Sequence, residues 1–462
     1  MKIHFIGIGG IGVSALAQFY QAKGNIVSGS DLTTSKTIEY LKSLGIKIYI
    51  GEHKLENLSG DVDLVVYSPA IRHENPELHK AHLMQTENHE LKVQSYPEAL
   101  GDLTKQYFTI AVSGSHGKST TSAMISLLLV KAGLNPTVII GTKLKEFLAP
   151  AATPEGRASL APSGRETEGT NFKMGSSGIL VIEADEHFAS FLNYWPKIIV
   201  LTNIEEEHLD FYKNINNILK TYKEYVGHLP KDGFCVANKD DKNIRKILSP
   251  KSEVRNKFKI RNYSMKQTEA KKIKKALKIP GKHNIMNALA VLEVAKILAI
   301  DNKTTLSALS EFKGSWRRFE EKNGTANGKK ITIISDYGHH PTEVLATLEA
   351  AREKYKTNQI WCVFQPHQKQ RTYFLQKEFI KAFRKAPIDN ILITDIYDVA
   401  GREEQEISSK ITSQKLVEKI NKKHIDYMPL PEIENFVKEN IKPGDVLVIM
   451  GAGDIYNLVE KF

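Results

Sequence analysis

The chain has 462 residues, of which 41% are hydrophobic and 25% charged, with a formal net charge of +11. That length allows two to four domains, and no apolar run approaches the roughly 18 residues of a membrane-spanning helix, so no membrane insertion is expected. Cys235 and Cys362 stand far apart without CxxC spacing, which argues against a disulfide framework or a cysteine zinc site; the positive balance favours anionic partners.

The N-terminal KIHFI predicts a buried strand, and VSALAQFYQAKG a helix with a glycine stop. Between them Gly7, Gly9, Gly10 and Gly12 satisfy GxGxxG, and Asp31 ends a second strand about 20 residues on. Such a turn presents backbone N–H groups to a diphosphate, whether of a dinucleotide or of a nucleotide sugar. The opening residues lack the basic head and cleavage site of a signal peptide, so a cytoplasmic location is expected. IEYLKSLG reads as a helix and DLVVYSP as a strand. This alternation predicts a parallel sheet with helices on its faces.

A second α/β unit opens near Leu103. There FTIAV leads into Gly114-Ser115-His116-Gly117-Lys118-Ser119-Thr120-Thr121 and then an apolar helix. Glycines let backbone N–H groups close on phosphate oxygens, and the helix N-terminus adds partial positive charge. In this arrangement Lys118 meets the β- and γ-phosphates and the Ser119 hydroxyl meets Mg²⁺. The longer GxxxxGK[ST] signature is incomplete, because Val112 holds its first glycine position. Residues 149–178, rich in Ala, Pro, Gly, Ser and charge, predict a mobile surface loop. EADE, beginning at Glu183, and NIEEEHLD, containing His208, each end a strand, where ligands of open α/β sheets gather and a carboxylate or imidazole can serve a metal. Glu205 to Glu207 read as a solvated acidic turn. The basic stretch Lys251–Lys282 reads as a solvated face, since it has few aromatics for base stacking; no nucleic-acid partner is expected.

A third α/β unit starts near Ser315. Asp336-Tyr337-Gly338-His339-His340-Pro341-Thr342-Glu343 follows the strand ITIIS, and its Pro and Thr suit a helix start. Adjacent histidines face different ways, so one packs and one binds. FQPHQKQR ends the strand WCVF, and Arg371 within it offers a planar fork for a carboxylate.

Taken together, GIGGIG, SGSHGKSTT, EADE, NIEEEHLD, GKHNIMNA, RRFE, DYGHHPTE, FQPH and GAGD stand in the order found in the Mur ligases, and the resemblance covers essentially the whole chain outside residues 149–178. It implies three consecutive α/β domains: a Rossmann-like UDP-sugar-binding domain over 1–102, a P-loop ATP-binding domain over 103–314 with 149–178 as a mobile insertion, and a Rossmann-like ligase domain over 315–462. Gly7, Gly9, Gly10, Gly12, Asp31 and Ser68 would then hold the UDP part. Gly114 to Thr120 would hold ATP, with Lys118 on the transferring phosphate. Ser119 and Glu183 would hold Mg²⁺, and His208 would serve a second metal region. Asn284, with Asn287, would recognise adenine, and Arg318 and Asp336 would reach the nucleotide. Tyr337, His339, His367 and Arg371 would face the substrate carboxylate and the incoming amino acid.

DYGHHPTE with FQPH and GIGGIG is most similar to the branch that joins L-alanine to the lactyl carboxylate of UDP-N-acetylmuramate through an acyl phosphate. The tripeptide-recycling branch has a motif resembling DFAHHPTA and is the nearer alternative. An NAD-dependent oxidoreductase built on GxGxxG is the distant one, since it leaves SGSHGKSTT unexplained; a silent UDP-sugar sensor would not need Lys118, Glu183, His208 and Arg318 together. Two departures stand out: Gln368 follows FQPH where the family often has Arg, and His187 follows EADE. Some family members carry a carbamylated, metal-bridging lysine after the HLD motif; Lys220 and Lys223 lie nearby, and the role is assigned to neither. A monomer or weak homodimer is expected.

Overall fold

A computed structural model describes all residues except 145–168, 251, 255–256 and 399–409. It contains three sheets laid out in chain order, as the strand–helix alternation predicts. The first comprises β1 (Lys2–Ile6), β2 (Ile26–Asp31), β3 (Lys47–Ile50), β4 (Leu64–Tyr67) and β5 (Lys92–Ser95) in the order β3-β2-β1-β4-β5, all parallel. The order reverses between β1 and β4, which opens a crevice at their carboxyl ends.

The second sheet comprises β6 (Phe108–Ser113), β7 (Thr137–Leu144), β8 (Thr170–Lys173), β9 (Ile179–Glu183), β10 (Ile198–Leu201), β11 (Phe234–Asn238) and β12 (Lys259–Tyr263) in the order β12-β11-β10-β6-β9-β7-β8. Only β8 runs antiparallel, against β7. The register sets Val112 of β6 beside Glu183 of β9, and Ser113 beside Leu201 of β10.

The third sheet comprises β13 (Glu320–Ala326), β14 (Lys329–Asp336), β15 (Ile360–Phe364), β16 (Asn390–Ile393), β17 (Ile425–Tyr427) and β18 (Val446–Met450) in the order β13-β14-β18-β15-β16-β17, with β13 antiparallel at one edge. Its inner strands β15 and β18 bury both faces, so they read as unbroken apolar runs. Ile334, Cys362, Phe364, Val448 and Met450 pack beneath Leu348, Phe379 and Phe383. On the other face Ile333, Val363, Leu447 and Ile449 meet Ile433, Val437 and Ile455. Cys235 and Cys362 are both buried.

Contacts divide the chain into two compact units. One comprises Met1–Ile204, Leu219–Ser264 and Ala290–Ala308, and holds the first two sheets; the other comprises Glu205–Ile218, Met265–Leu289 and Leu309–Phe462, and holds the third. Among the described residues no helix is long and apolar enough to cross a membrane.

The loop expected over 149–178 needs correction at its end. Residues 149–168 lie outside the described residues, but Thr170–Lys173 is a strand. It pairs with β7, Phe172 packs edge-on against Phe19 (6.5 Å), and a polar anchor adds to this. The buried Asn171 amide donates to the Ile11 carbonyl and to Ser14 Oγ (3.1 Å), and its carbonyl accepts from Gln18 Nε2 (3.2 Å). Composition cannot reveal a strand secured in this way.

Candidate active site

At the first crevice, the N–H of Gly7 bonds to the Ser30 carbonyl (2.9 Å) as the chain turns out of β1 with φ +77°. A Cβ on Gly7 would meet Ser68 Cβ at 3.0 Å, and one on Gly12 would meet Tyr96 Cζ at 2.7 Å. Only glycine fits this close approach. Ser68 is thus brought opposite the glycine loop. Asp31 bonds to the loop itself, its Oδ2 accepting from the Gly9 N–H (2.8 Å). Gly10 precedes the helix Ile11–Ala22, whose N-terminus opens at the same place. All six residues expected to hold the UDP part therefore cluster at the switch point.

The second sheet builds a phosphate loop at the end of its central strand β6. Gly114 has φ +138°, and a Cβ there would strike Thr202 Oγ1; Gly117 enters the helix Lys118–Lys131 in the left-handed region. β10 pins the loop. The Ser115 N–H donates to the Asn203 carbonyl (3.0 Å), the His116 N–H to Asn203 Oδ1 (2.9 Å), and Thr202 Oγ1 to the His116 carbonyl (2.6 Å).

Lys118 Nζ donates to the Gly114 carbonyl (2.8 Å) and to Glu186 Oε2 (2.9 Å), with Asp185 at 3.7 Å. Burial alone would lower its pKa, but Glu186 and Asp185, with Glu183, raise it above the ordinary lysine value, so the ammonium stays charged. Ser119 Oγ donates to Glu183 Oε2 (2.9 Å), while Glu183 Oε1 accepts from the Gly141 N–H (2.7 Å). The expected phosphate and Mg²⁺ groups are thereby assembled. After EADE the chain is strained: Phe188 and Ala189 have φ of 52° and 54°.

The second compact unit carries another cluster. Asp336 is buried; its Oδ1 accepts from the Gly338 N–H (2.7 Å) and its Oδ2 from the Phe319 N–H (2.8 Å). Burial raises its pKa, against the opposing charge of Arg318. The Arg318 guanidinium stacks over Tyr337 (5.0 Å) and lies 3.6 Å from Glu343. His340 is the packed histidine, 4% exposed at the start of the helix Pro341–Lys354, where its Nδ1 accepts from the Thr342 N–H (3.3 Å). His339 instead faces Tyr337 and His367, with ring centroids 5.3 and 5.9 Å away. Burial, then the Arg371 charge, pushes its pKa down to about 3, so the ring is neutral at ordinary pH, donating from Nδ1 to the Tyr337 carbonyl (3.1 Å).

Arg371 Nε donates to Glu207 Oε1 (2.8 Å), and its Nη1 donates to His367 Nδ1 (3.1 Å). Because guanidinium cannot accept, His367 Nδ1 is the acceptor. Glu207 corrects the expected solvated turn. It is 5% exposed, and although burial favours its neutral form, Arg371 foremost, with His340, His208 and His339, holds its pKa well below the carboxylate range. His208, with φ 53°, begins the short helix Leu209–Tyr212; His208, Glu207, Gln368 and Arg371 line one cleft. Asn284 and Asn287 are buried, and Asn284 Nδ2 donates to the Pro280 carbonyl (2.6 Å). Of the two lysines near the HLD motif, Lys220 is exposed and Lys223 pairs with Glu253 (3.2 Å).

Family models match in the same order. The Mur ligase family, catalytic domain matches residues 2–108; the Mur ligase middle domain matches 112–295; the Mur ligase, glutamate ligase domain matches 317–453. The chain belongs to the Mur ligase family. Among its relatives, the UDP-N-acetylmuramate–L-alanine ligases of Clostridium acetobutylicum and Clostridium tetani are 37% and 38% identical, over 100% of this chain and 97% of theirs. The solved UDP-N-acetylmuramate–alanine ligase of Thermotoga maritima superposes with a TM-score of 0.75 at 26% identity, covering 100% of this chain and 98% of that one. A murein peptide ligase of Psychrobacter arcticus shares the fold, with a TM-score of 0.69 at 22% identity.

In this Mur ligase three site residues escaped the motif reading. Glu186 lies inside EADE, Asn203 opens NIEEEHLD, and Glu207 lies within it. Their roles depend on partners 68, 87 and 164 positions away. The one available signal was that each lies in the segment that follows the end of β9 or β10. The Ser119 hydroxyl and Glu183 carboxylate form a pair of hard oxygen donors beside the phosphate loop, a donor set that fits Mg²⁺.

Proposed function

We propose that this Mur ligase joins L-alanine to the lactyl carboxylate of UDP-N-acetylmuramate, converting ATP to ADP and phosphate. One observation carries the phosphoryl-transfer part: Lys118 is held charged at the mouth of a pinned phosphate loop, next to the Ser119–Glu183 pair. The amino acid and sugar nucleotide rest on the whole-length relatives.

In the first step a carboxylate oxygen attacks the γ-phosphorus and ADP leaves. The product is an acyl phosphate, whose leaving group is far better than oxide. The amine nitrogen then attacks the carbonyl carbon, and phosphate departs from the tetrahedral intermediate as the amine loses its proton. Lys118 and the loop N–H groups offset charge on the transferring oxygens, already oriented before reaction. Mg²⁺ held by Ser119 and Glu183, with His208 serving a second metal region, would neutralise further phosphate charge. Gly7, Gly9, Gly10, Gly12, Asp31 and Ser68 hold the UDP part within 1–102. Gly114 to Thr120 hold ATP within 103–314, with adenine on Asn284 and Asn287. From 315–462, Arg318 and Asp336 reach the nucleotide, while Tyr337, His339, His367 and Arg371 receive the amino acid.

The test is phosphate release from ATP with Mg²⁺ and UDP-N-acetylmuramate, comparing L-alanine, glycine, L-serine and the Ala–Glu–diaminopimelate tripeptide. Release that requires both the sugar nucleotide and L-alanine is expected. Release with the tripeptide alone would move the chain to the recycling branch.

A further inference from the structure

The Glu207–Arg371 pair asks why a buried carboxylate should stand against the arginine assigned to amino-acid recognition. Both side chains are almost enclosed, 5% and 9% exposed. Their placement is built in rather than incidental. Glu207 follows Glu205, whose Oε2 accepts from Thr342 Oγ1 (2.7 Å), and precedes His208, which turns the chain through a left-handed conformation. Arg371 sits in the short helix Lys369–Phe374, which starts at Gln368 with φ 68°; the Gln368 N–H is fixed to the Tyr397 carbonyl (2.9 Å). Among the described residues lining the cleft, Arg371 is the only Lys or Arg.

A guanidinium is planar and carries five N–H donors on distinct edges. Glu207 takes the Nε donor, and His367 takes one on Nη1 through its ring nitrogen and carbonyl (3.1 and 3.2 Å). Two anchors on one plane stop rotation about the side chain's last bonds. The remaining donors then point in a set direction before any ligand arrives, which lowers the entropy lost on binding.

We propose that Glu207 is a positioning residue: it locks the Arg371 guanidinium so that its remaining N–H donors meet the carboxylate of the incoming amino acid. This rests on the amino-acid role of Arg371 given above. The opposing possibility is competition, in which Glu207 merely occupies Arg371 and a ligand carboxylate must displace it. The two differ in sign. Locking predicts that loss of Glu207 weakens amino-acid binding; competition predicts that it strengthens it.

The experiment uses the full chain and measures KM for L-alanine, ATP and UDP-N-acetylmuramate, with kcat, by phosphate release. Glu207→Ala should raise KM for L-alanine by about tenfold, with kcat within about threefold and the other two KM values unchanged. Glu207→Gln, which keeps an acceptor oxygen in the same volume, should raise it less, and this isosteric variant decides the matter if the alanine variant does not fold. Added to Arg371→Ala, either change should raise KM no further. A KM for L-alanine that falls or stays put in Glu207→Gln overturns the proposal, as does an effect additive with Arg371→Ala. If wild-type release depends on no amino acid at all, it is the amino-acid role of Arg371 that fails. Dependence on a different amino acid leaves the test intact, because the carboxylate is common to all.

Discussion

Lys118 and Arg371 each carry positive charge into a crowded site beside an almost fully buried carboxylate, yet the two sites use that charge differently. Lys118 is a point charge on a flexible stem. Its ammonium bonds at once to the Gly114 carbonyl and Glu186, and in the proposed transfer it would exchange either for a phosphate oxygen. Arg371 is a rigid fork, fixed on two sides by Glu207 and His367. A mobile charge suits a group that changes along the reaction; a fixed fork suits one whose shape must be recognised unchanged.

The comparison breaks most sharply at Lys118. Lys118→Ala should lower kcat by about 10³-fold, since little else in phosphoryl transfer replaces electrostatic stabilisation. Activity within tenfold of wild type would remove Lys118 from the transfer step. Next comes Arg371→Ala, which should raise KM for the amino acid by about 10- to 100-fold, the worth of one or two hydrogen bonds to a charged group. A kcat effect without a KM effect would make Arg371 part of the chemistry and dissolve the contrast.

Glu186→Ala sharpens the comparison through stability. It leaves Lys118, itself 17% exposed, without its nearest counter-charge. A loss of about 1–3 kcal/mol is expected from the denaturant midpoint, because breaking a pair costs more than the pair contributes. Replacing Lys118 and Glu186 together with Met and Leu should recover most of it.

His339 supplies a pH test of the recognition cluster. Its pKa in the folded chain, about 3, lies below the ordinary histidine value near 6.5, so the unfolded chain binds the extra proton first. The contribution of His339 is fully present above about 6.5 and is lost as pH falls toward 3. His339→Gln should therefore flatten the decline of the denaturant midpoint between pH 7 and 5. An identical decline in both proteins would count against a neutral buried ring.

The smallest effect belongs to Asn171→Ala. It removes donors to Ile11 and Ser14 and should cost about 1–2 kcal/mol, with kcat unchanged.

Much of this was legible in the sequence for a physical reason. Gly7, Gly12, Gly114 and Gly117 mark backbone that no side chain could share, and apolar runs such as FTIAV and WCVF mark strands buried on both faces. Together they located three sheets and both glycine loops. Glu207 was misread because an acidic run looks the same whether solvated or folded against an arginine 164 residues later. β8 was missed because much of its anchoring comes from one amide and one ring, Asn171 and Phe172, reaching the distant helix Ile11–Ala22. Local pattern reports the chain's own backbone demands; it is silent about long-range partners of single polar side chains.

That anchor has a mechanical consequence. Asn171 fastens edge strand β8 to the first turns of the helix that follows the glycine loop, and Gln18 closes the link from the same helix. The N-terminal glycine loop and the central sheet are thereby coupled at their seam. A hinge placed there would have to break three hydrogen bonds made by the buried Asn171 side chain, so this joint resists bending.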